Sequence, residues 1–311
     1  MLDLSKIGNL AITGANGFVG RSIVEKISEL SDEFLPKSLT LITRTGLDYK
    51  IDEKIASRVT EHSQDLREPW TFTDKVSHMI NLAADGSPGA YSEEACMQFT
   101  LISKNLVRWL SESNWETNLF HASSGACFGY KPLGGIDDLN PKKLFTQNRI
   151  EVEDFLAESS SAIGFGLSIG RLFTFSGLNI LKKPQYALSD FILSGVNQGR
   201  IHVKGNPRTQ RSYLHQAAMS EWILKAVLTT ATNPSLQIGS SDAVTIEELA
   251  TFIALETGSR IEYSQVPTNG DIYVPENSET RIKLGVSEGL GWKEAVTEMI
   301  SKARILNHGA N

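Results

Sequence analysis

Cysteine is nearly absent from this chain of 311 residues, which contains only Cys96 and Cys127. Two thiols form neither the disulfide framework of a small secreted protein nor a four-cysteine zinc site. We therefore expect a reducing compartment and no metal site. Cys96 falls on the flank of a predicted helix, where the sequence shows no neighbour that would lower its pKa.

Clusters of positive charge and long apolar runs are also lacking. The net charge is -6, and no basic block or stripe appears, which argues against a nucleic-acid or membrane-surface partner. No apolar run approaches the ~20 residues that cross a bilayer, and the N-terminus does not resemble a signal peptide. With 41% hydrophobic and 21% charged residues, the composition predicts an ordinary globular protein, expected in the cytoplasm.

What the chain does contain is a glycine-rich turn near its start, in NLAITGANGFVG, with Gly14, Gly17 and Gly20 at three-residue spacing. Residues 10–12 are predicted to end a buried strand, and residues 18–30 to form the next helix. Glycine in such a turn lets the backbone approach a pyrophosphate, and the helix N-terminus offers unpaired N–H groups to it. The sequence therefore predicts a dinucleotide site.

Strands and helices alternate through the first half, which is typical of a doubly wound α/β fold. Further strands are predicted at 38–44, 58–66, 76–84, 118–124 and 166–175, and helices at 101–111 and 149–159. We expect a Rossmann-type parallel sheet over 1–175, to which a portion near 210–240 returns, and a smaller mixed α/β lobe over 176–311. A capping box at Thr245 and Glu248 predicts a helix in that lobe.

Several motifs in a common order resemble the extended short-chain dehydrogenases/reductases, specifically the nucleotide-sugar epimerases, dehydratases and reductases. They are TGANGFVG at 13–20, Asp65-Leu66, NLAA at 81–84, SSGACFG at 123–129, RLFTFSG at 171–177, GNPRTQRSYLH at 205–215, LQIGSSDAVTIEELA at 236–250 and RIKLGV at 281–286. The resemblance implies a nicotinamide cofactor, a nucleotide-diphosphate sugar substrate bound mostly by the second lobe, and a homodimer formed through the helices at 101–111 and 149–159.

The resemblance also implies which residues bind the cofactor. They are Gly14, Asn16, Gly17, Phe18, Val19 and Gly20 in the turn, Asp65 and Leu66 at the adenine, Leu82, Ala83 and Ala84 beneath the adenosine ribose and phosphates, and Arg149 at the nicotinamide ribose. Arg44 ends the second strand, where NAD-specific members carry an acid. An arginine there would bind a 2′-phosphate, so NADP(H) is favoured over NAD(H), with a solvated surface arginine as the alternative.

The catalytic positions depart from the family pattern of a Ser or Thr followed by Tyr-x-x-x-Lys. Ser124 fits the hydroxyl position, but Phe145 and Arg149 occupy the usual tyrosine and lysine positions. Phenylalanine has no ionisable proton, and arginine does not deprotonate, so ordinary acid–base catalysis, worth ~10²- to 10⁴-fold in rate, is in doubt. Candidate replacement proton donors are Tyr130, Asp85, Tyr91 and His121, although His121 is more simply a packed strand residue.

On the substrate side, the resemblance implies contacts from Ser123, Ser124, Thr174, Tyr186, Arg211 and Arg281. Arg211 matches the arginine that pairs with the sugar-nucleotide pyrophosphate, and a surface ion pair is the alternative for both arginines. Ser189 is a further candidate for lining the site. Thr174 and Phe99 stand where relatives often carry asparagine.

Two functions remain open at this point. One is an NAD(P)-dependent nucleotide-sugar epimerase, dehydratase or reductase acting on a 6-deoxy or keto sugar in bacterial surface polysaccharide or O-antigen assembly. The other is a catalytically impaired homologue that binds the dinucleotide in a regulatory or structural role, as the changes at Phe145 and Arg149 suggest.

Overall fold

The computed structural model describes residues 2–84, 88–113, 115–128, 141–183, 185–229, 233–264 and 268–308. Within these ranges the chain divides into two compact units. The described parts of Met1–Cys127, Asp138–Arg171 and Ser220–Leu236 form the first unit, and those of Phe128–Asp137, Leu172–Met219 and Gln237–Asn311 form the second. The assignment of cofactor and substrate roles to two such units stays a prediction.

The strands and helices alternate as expected from the sequence. The strands are β1 (Asn9–Thr13), β2 (Ser38–Thr43), β3 (Val59–Ser63), β4 (His78–Asn81), β5 (Asn118–Ser124), β6 (Gly166–Leu172), β7 (Phe175–Ser176), β8 (Arg200–Val203), β9 (Gln210–Ser212), β10 (Leu214–His215), β11 (Asn233–Ile238), β12 (Ala243–Thr245), β13 (Arg260–Tyr263) and β14 (Ile272–Tyr273). The helices are α1 (Phe18–Ser28), α2 (Glu53–Ala56), α3 (Glu93–Glu112), α4 (Pro141–Ile163), α5 (Ala187–Gln198), α6 (Gln216–Val227), α7 (Ile246–Thr257), α8 (Ser278–Leu284) and α9 (Trp292–His308).

Strands β1 to β6 and the later strand β11 form a seven-stranded sheet in the order β11-β6-β5-β4-β1-β2-β3. The pairings of β1 with β2 and β4, of β2 with β3, and of β4 with β5 are parallel. Strands β1 and β2 are almost wholly buried, as expected for apolar strands covered on both faces by helices. The Rossmann-type α/β fold is therefore confirmed, and the strand order reverses between β1 and β4, where such folds bind ligands.

Helices α3 and α4 are both longer than the sequence predicted. Helix α3 begins at Glu93 rather than Leu101, because Ser92 caps it by accepting a 3.1 Å hydrogen bond from the Ala95 amide. Helix α4 begins at Pro141 rather than at Arg149, and proline suits a first helical turn since its missing N–H would have no partner there. The two helices pack against each other in the first unit.

The second unit contains three small sheets, β7 with β10, β9 with β12 and β14, and β8 with β13. The predicted strand at 166–175 is wrong at its C-terminal end, because β6 ends at Leu172 and Phe175 belongs to β7, which pairs with β10. The predicted capping box of α7 is confirmed, with reciprocal bonds between Thr245 and Glu248. In the described ranges, no helix has the length and apolar character to cross a membrane.

Candidate active site

The turn between β1 and α1 is so tight that it has no room for a side chain at Gly14 or Gly20. Gly14 has a φ of 69°, and a Cβ there would lie 3.1 Å from the Leu82 carbonyl oxygen. A Cβ on Gly20 would lie 2.6 Å from the Gly14 carbonyl oxygen. No side-chain hydrogen bond caps the α1 N-terminus. A backbone cradle at an uncapped helix N-terminus fits a dinucleotide pyrophosphate.

Asn16 holds the loop after β2 against this turn. Its amide nitrogen donates to the Gly46 carbonyl oxygen at 2.7 Å, and its amide oxygen accepts from the Asp48 amide at 3.2 Å. Arg44, at the end of β2, is exposed and makes no hydrogen bond or ion pair with any residue in the described ranges. Its charge is thus available at this edge of the sheet.

Asp65 lies beyond β3 and is bound by Arg67. The Arg67 side chain donates to both Asp65 carboxylate oxygens, at distances of 2.5–3.1 Å. These bonds, followed by the nearby charges of Arg67 and Arg44, lower the pKa of Asp65 to about 2. Leu66 is buried in the core beneath α3. The predicted adenine contacts of Asp65 and Leu66 stay predictions.

A chain of hydrogen bonds connects β1, β4 and β5 at the point where the strand order reverses. The Thr13 hydroxyl donates to the Asn81 amide oxygen at 2.6 Å and accepts from the Leu82 amide at 3.0 Å. The Asn81 amide nitrogen lies 3.1 Å from Nδ1 of His121, which is fully buried. Sequence reasoning missed Thr13, although a polar residue that ends an apolar strand is a usable signal. Leu82 and Ala83 follow directly and are half-buried, and Ala84 is exposed.

His121 is therefore a fully buried strand residue, as the sequence suggested. Burial, followed by the charge of Arg149, lowers the pKa of His121 from 6.5 to about 3. The imidazole is neutral at physiological pH. Its Nε2 is buried without a hydrogen-bond partner in the described part of the chain.

Arg149 lies between two phenylalanine rings. Its guanidinium carbon is 3.3 Å from the centre of the Phe99 ring and 4.5 Å from the centre of the Phe145 ring. The residue is only 6% exposed, and its Nη1 has no hydrogen-bond partner among the described residues. Burial lowers the pKa of Arg149 to about 10, so the group remains a cation at neutral pH.

Phe18 and Val19, predicted to contact the cofactor, are half-buried in the first turn of α1.

Ser123 and Ser124 end β5, but their hydroxyls differ in what they bind. The Ser123 hydroxyl donates to the Glu153 carboxylate at 2.5 Å, and Arg171 donates to the same carboxylate through Nε and Nη2. The Ser124 hydroxyl accepts a 3.2 Å bond from the Ala126 amide, which leaves its proton free to donate. Glu153 was missed by sequence reasoning, although it lies one turn beyond Arg149 on the same face of α4.

The two cysteines of this unit are poor nucleophiles. Burial, followed by the nearby Glu153 carboxylate, raises the pKa of Cys127 to about 11. Burial also raises the pKa of Cys96, although Arg149 acts in the opposite direction. The expectation that no neighbour would lower the Cys96 pKa is therefore wrong in detail, since packing of α4 brings Arg149 close.

Of the four candidate replacement proton donors, Tyr91 lies against the position where the tyrosine is missing. It ends a 3₁₀ turn at Pro88–Tyr91, its ring centre is 5.0 Å from that of Phe145, and it is 42% exposed. Tyr130 and Asp85 lie outside the described residues.

The predicted substrate residues of the second unit are partly brought together. The Thr174 hydroxyl donates to the Ser212 carbonyl oxygen, beside Arg211 on β9. Arg211 donates to the Gln210 carbonyl oxygen at 2.8 Å and lies over the Tyr273 ring. Tyr186 precedes α5 and is exposed.

Two further candidates of this unit have partners within the fold. Arg281 Nη1 is 3.7 Å from a Glu288 oxygen. Ser189 is fully buried and donates to the Ile180 carbonyl oxygen at 2.8 Å, so it packs rather than lines a surface.

A family model described as the NAD dependent epimerase/dehydratase family matches residues 10–239, well over half of the chain. The chain belongs to this family. The resemblance to extended short-chain dehydrogenases/reductases is thereby confirmed. No curated protein matches the chain by sequence.

Solved structures share the fold of this epimerase/dehydratase-family chain at low identity. UDP-glucose 4-epimerase of Thermus thermophilus, in complex with NAD, has a TM-score of 0.75 at 18% identity, covering 95% of this chain and 99% of that chain. Epimerase Mth375 of Methanothermobacter thermautotrophicus has a TM-score of 0.80 at 13% identity, covering 99% and 94%. A tyrosine-to-phenylalanine mutant of Bacillus cereus UDP-glucuronic acid 4-epimerase, with UDP-4-deoxy-4-fluoro-glucuronic acid and NAD, has a TM-score of 0.77 at 15% identity, covering 96% and 99%.

Proposed function

We propose that this epimerase/dehydratase-family chain is an NAD(P)-dependent enzyme that epimerises, dehydrates or reduces a nucleotide-diphosphate sugar. The observation that carries the proposal is the family match over residues 10–239, joined to a glycine turn whose shape excludes side chains at Gly14 and Gly20. The complex of the Bacillus cereus neighbour with UDP-4-deoxy-4-fluoro-glucuronic acid supports the substrate class. A role in bacterial surface polysaccharide assembly, a cytoplasmic location and a homodimer are further parts of this proposal.

The cofactor would be held by the glycine turn, by residues 82–84 and by the loop that Asn16 fixes. When bound, the nicotinamide accepts or supplies a hydride at the sugar. The unpaired charge of Arg44 at the end of β2 supports NADP(H), because a guanidinium forms charge-assisted bonds with a 2′-phosphate. A solvated arginine would give no such preference, and calorimetric titration of NADP⁺ and NAD⁺ separates the two.

Ser124 and Tyr91 are the residues that we propose for the proton chemistry of the reaction. The free hydroxyl proton of Ser124 would hydrogen-bond the reacting sugar oxygen. Tyr91 is our proposed acid and base, which takes a proton from a sugar hydroxyl or returns it to a keto oxygen. The contact of its ring with Phe145 supports this assignment, because a phenol there lies beside the position where the family carries its tyrosine.

The test is a swap of the phenol between two positions, assayed on a panel of UDP- and dTDP-hexoses and their 4-keto derivatives. We expect Tyr91→Phe to lower kcat about 10²- to 10⁴-fold. Phe145→Tyr in the Tyr91→Phe background should restore part of the loss. Tyr263→Phe, an exposed tyrosine on β13, serves as the matched control and should leave kcat unchanged. Full activity in Tyr91→Phe would eliminate Tyr91 as the acid.

A second function is favoured by one specific observation, the presence of Phe145 and Arg149 where the family carries its tyrosine and lysine. This alternative is a dinucleotide-binding protein without catalysis, with a regulatory or structural role. It predicts dinucleotide binding without turnover in the parent chain, and turnover only in the Phe145→Tyr/Arg149→Lys double variant. Hydride transfer by the parent chain, followed at about 340 nm, would eliminate it.

A further inference from the structure

Arg149 carries a buried charge, and the described residues supply no anion that balances it. The residue is 6% exposed, and no carboxylate within the described ranges forms an ion pair with it. Glu153 lies one helical turn away, but its carboxylate is bound by Arg171 and by the Ser123 hydroxyl. Among the described residues, the other ionisable groups near Arg149 are His121, which is neutral, and Cys96 and Cys127, whose raised pKa values keep both thiols neutral. A buried cation without an anion is strongly unfavourable.

His121 supplies a second buried donor without an acceptor among the described residues, and its ring lies against the Phe99 ring. The Asn81 amide oxygen accepts from Thr13, so the Asn81 amide nitrogen donates to Nδ1 of His121. This bond assigns the imidazole proton to Nε2, which is buried and unpartnered in the described part of the chain. The His121 ring centre is 5.4 Å from that of Phe99, the ring that Arg149 covers.

The chemistry of these two groups selects a small planar monoanion. Phe99 and Phe145 cover the guanidinium of Arg149, so its N–H edge is what remains for a ligand. A carboxylate matches that edge in shape and carries one negative charge, which balances Arg149 beside the neutral His121. A ribose hydroxyl or a water molecule would satisfy a donor but leave the charge unbalanced. A phosphate monoester carries more charge than one cation balances, and a phosphodiester is tetrahedral rather than planar.

We propose that Arg149 and His121 form a binding site for a carboxylate. The carboxylate belongs either to a free small acid or to the sugar of a nucleotide hexuronic acid, and the second source rests on the proposed function. Arg149 is thereby a specificity residue for acidic ligands.

The first experiment uses sodium formate as the probe, on the full chain without nucleotides. Tm is measured against formate concentration, with sodium chloride at matched ionic strength as the reference. We expect a saturable rise of Tm that is specific to formate. The rise should disappear in both Arg149→Met and Arg149→Gln. Two different substitutions are used so that a folding defect in one of them does not decide the result. Arg108→Met, an exposed arginine paired with Glu112 on α3, should keep the rise. Equal effects of formate and chloride on the parent chain would overturn the proposal.

The second experiment distinguishes the two sources of the carboxylate by calorimetry with UDP-glucuronic acid and UDP-glucose. If the sugar supplies the group, the acid should bind at least about tenfold more tightly to the parent chain, and Arg149→Met should abolish the difference. If UDP-glucuronic acid and UDP-glucose bind with equal affinity while formate still raises Tm, the site binds a free acid. If neither nucleotide sugar binds while formate still acts through Arg149, the proposed function fails and the carboxylate site stands.

Discussion

The guanidinium carbon of Arg149 lies 3.3 Å from the centre of the Phe99 ring, which joins helix α4 to helix α3. In the sequence, Phe99, Phe145 and Arg149 are three separate departures from the family pattern. In the fold they form one arrangement, because the two rings cover the cation that lies between them. Cation–π contact of this kind contributes about 2 kcal/mol when the cation is desolvated, which offsets only part of the cost of burial. The three changes are therefore physically coupled.

Replacement of Arg149 by methionine should stabilise the ligand-free protein. Methionine fills a similar volume, packs well against aromatic rings and removes the buried charge. We expect the free energy of unfolding, measured with urea, to rise by about 1–4 kcal/mol. The control Arg108→Met changes an exposed i,i+4 pair and should change stability by less than about 0.5 kcal/mol. A marked loss of stability in Arg149→Met would mean that the charge has an anionic partner within the folded chain.

Replacement of Gly20 by alanine should disturb both the turn and the cofactor site. The added Cβ would lie 2.6 Å from the Gly14 carbonyl oxygen and 2.8 Å from the Ala15 Cα, both backbone atoms that cannot rotate away. We expect a loss of about 1–3 kcal/mol in the free energy of unfolding and a clear loss of NADP⁺ affinity by calorimetry. Gly205→Ala meets no atom within 4 Å and should change neither quantity. Unchanged cofactor affinity in Gly20→Ala would argue against a dinucleotide at this turn.

Local sequence signals predicted the elements that depend on local chemistry. The glycine turn, the strand at Asn118–Ser124 and the capping box at Thr245 all follow from residues close together in the chain. The start of α3 was missed although two signals were present, since Ser92 is a typical N-cap and the buried Cys96 and Phe99 continue the helical spacing toward it. The end of β6 was missed because apolar residues continue past Leu172 into a different sheet.

The interior of the site could not be predicted in the same way, because its contacts join distant segments. Thr13 and Asn81 are 68 residues apart, and Asn81 and His121 are 40 apart. The position of Arg149 on α4 was predicted, but its two aromatic neighbours depend on how α3 and α4 pack. The unbalanced charge follows from that packing and leaves no signal in the sequence.

Both cysteines should react slowly with thiol reagents in the native protein. The thiolate is the reactive form, and burial raises the pKa of Cys96 as well as that of Cys127, the latter to about 11. With Ellman's reagent at about pH 8 we expect slow labelling of the native chain and rapid labelling of both thiols in guanidinium chloride. Cys127→Ser identifies which thiol contributes to any residual native rate. Rapid native labelling would show that the packing around β5 and α3 opens readily.

Acid should destabilise the fold through His121. Its pKa falls from 6.5 to about 3 on folding, so between these values the unfolded chain binds a proton that the folded chain excludes. Stability from this group is therefore complete above about pH 6.5 and decreases as the pH falls toward 3. One such proton corresponds to about 1.4 kcal/mol per pH unit.

The measurement is the free energy of unfolding in urea at a series of pH values from about 4.5 to 7. Its increase with pH should be less steep in His121→Gln than in the parent chain, by up to about 1.4 kcal/mol per pH unit. The same substitution at His202, exposed on β8, serves as the control. An unchanged slope in His121→Gln would mean that His121 takes up its proton in the folded state, and that the cation of Arg149 does not repel it.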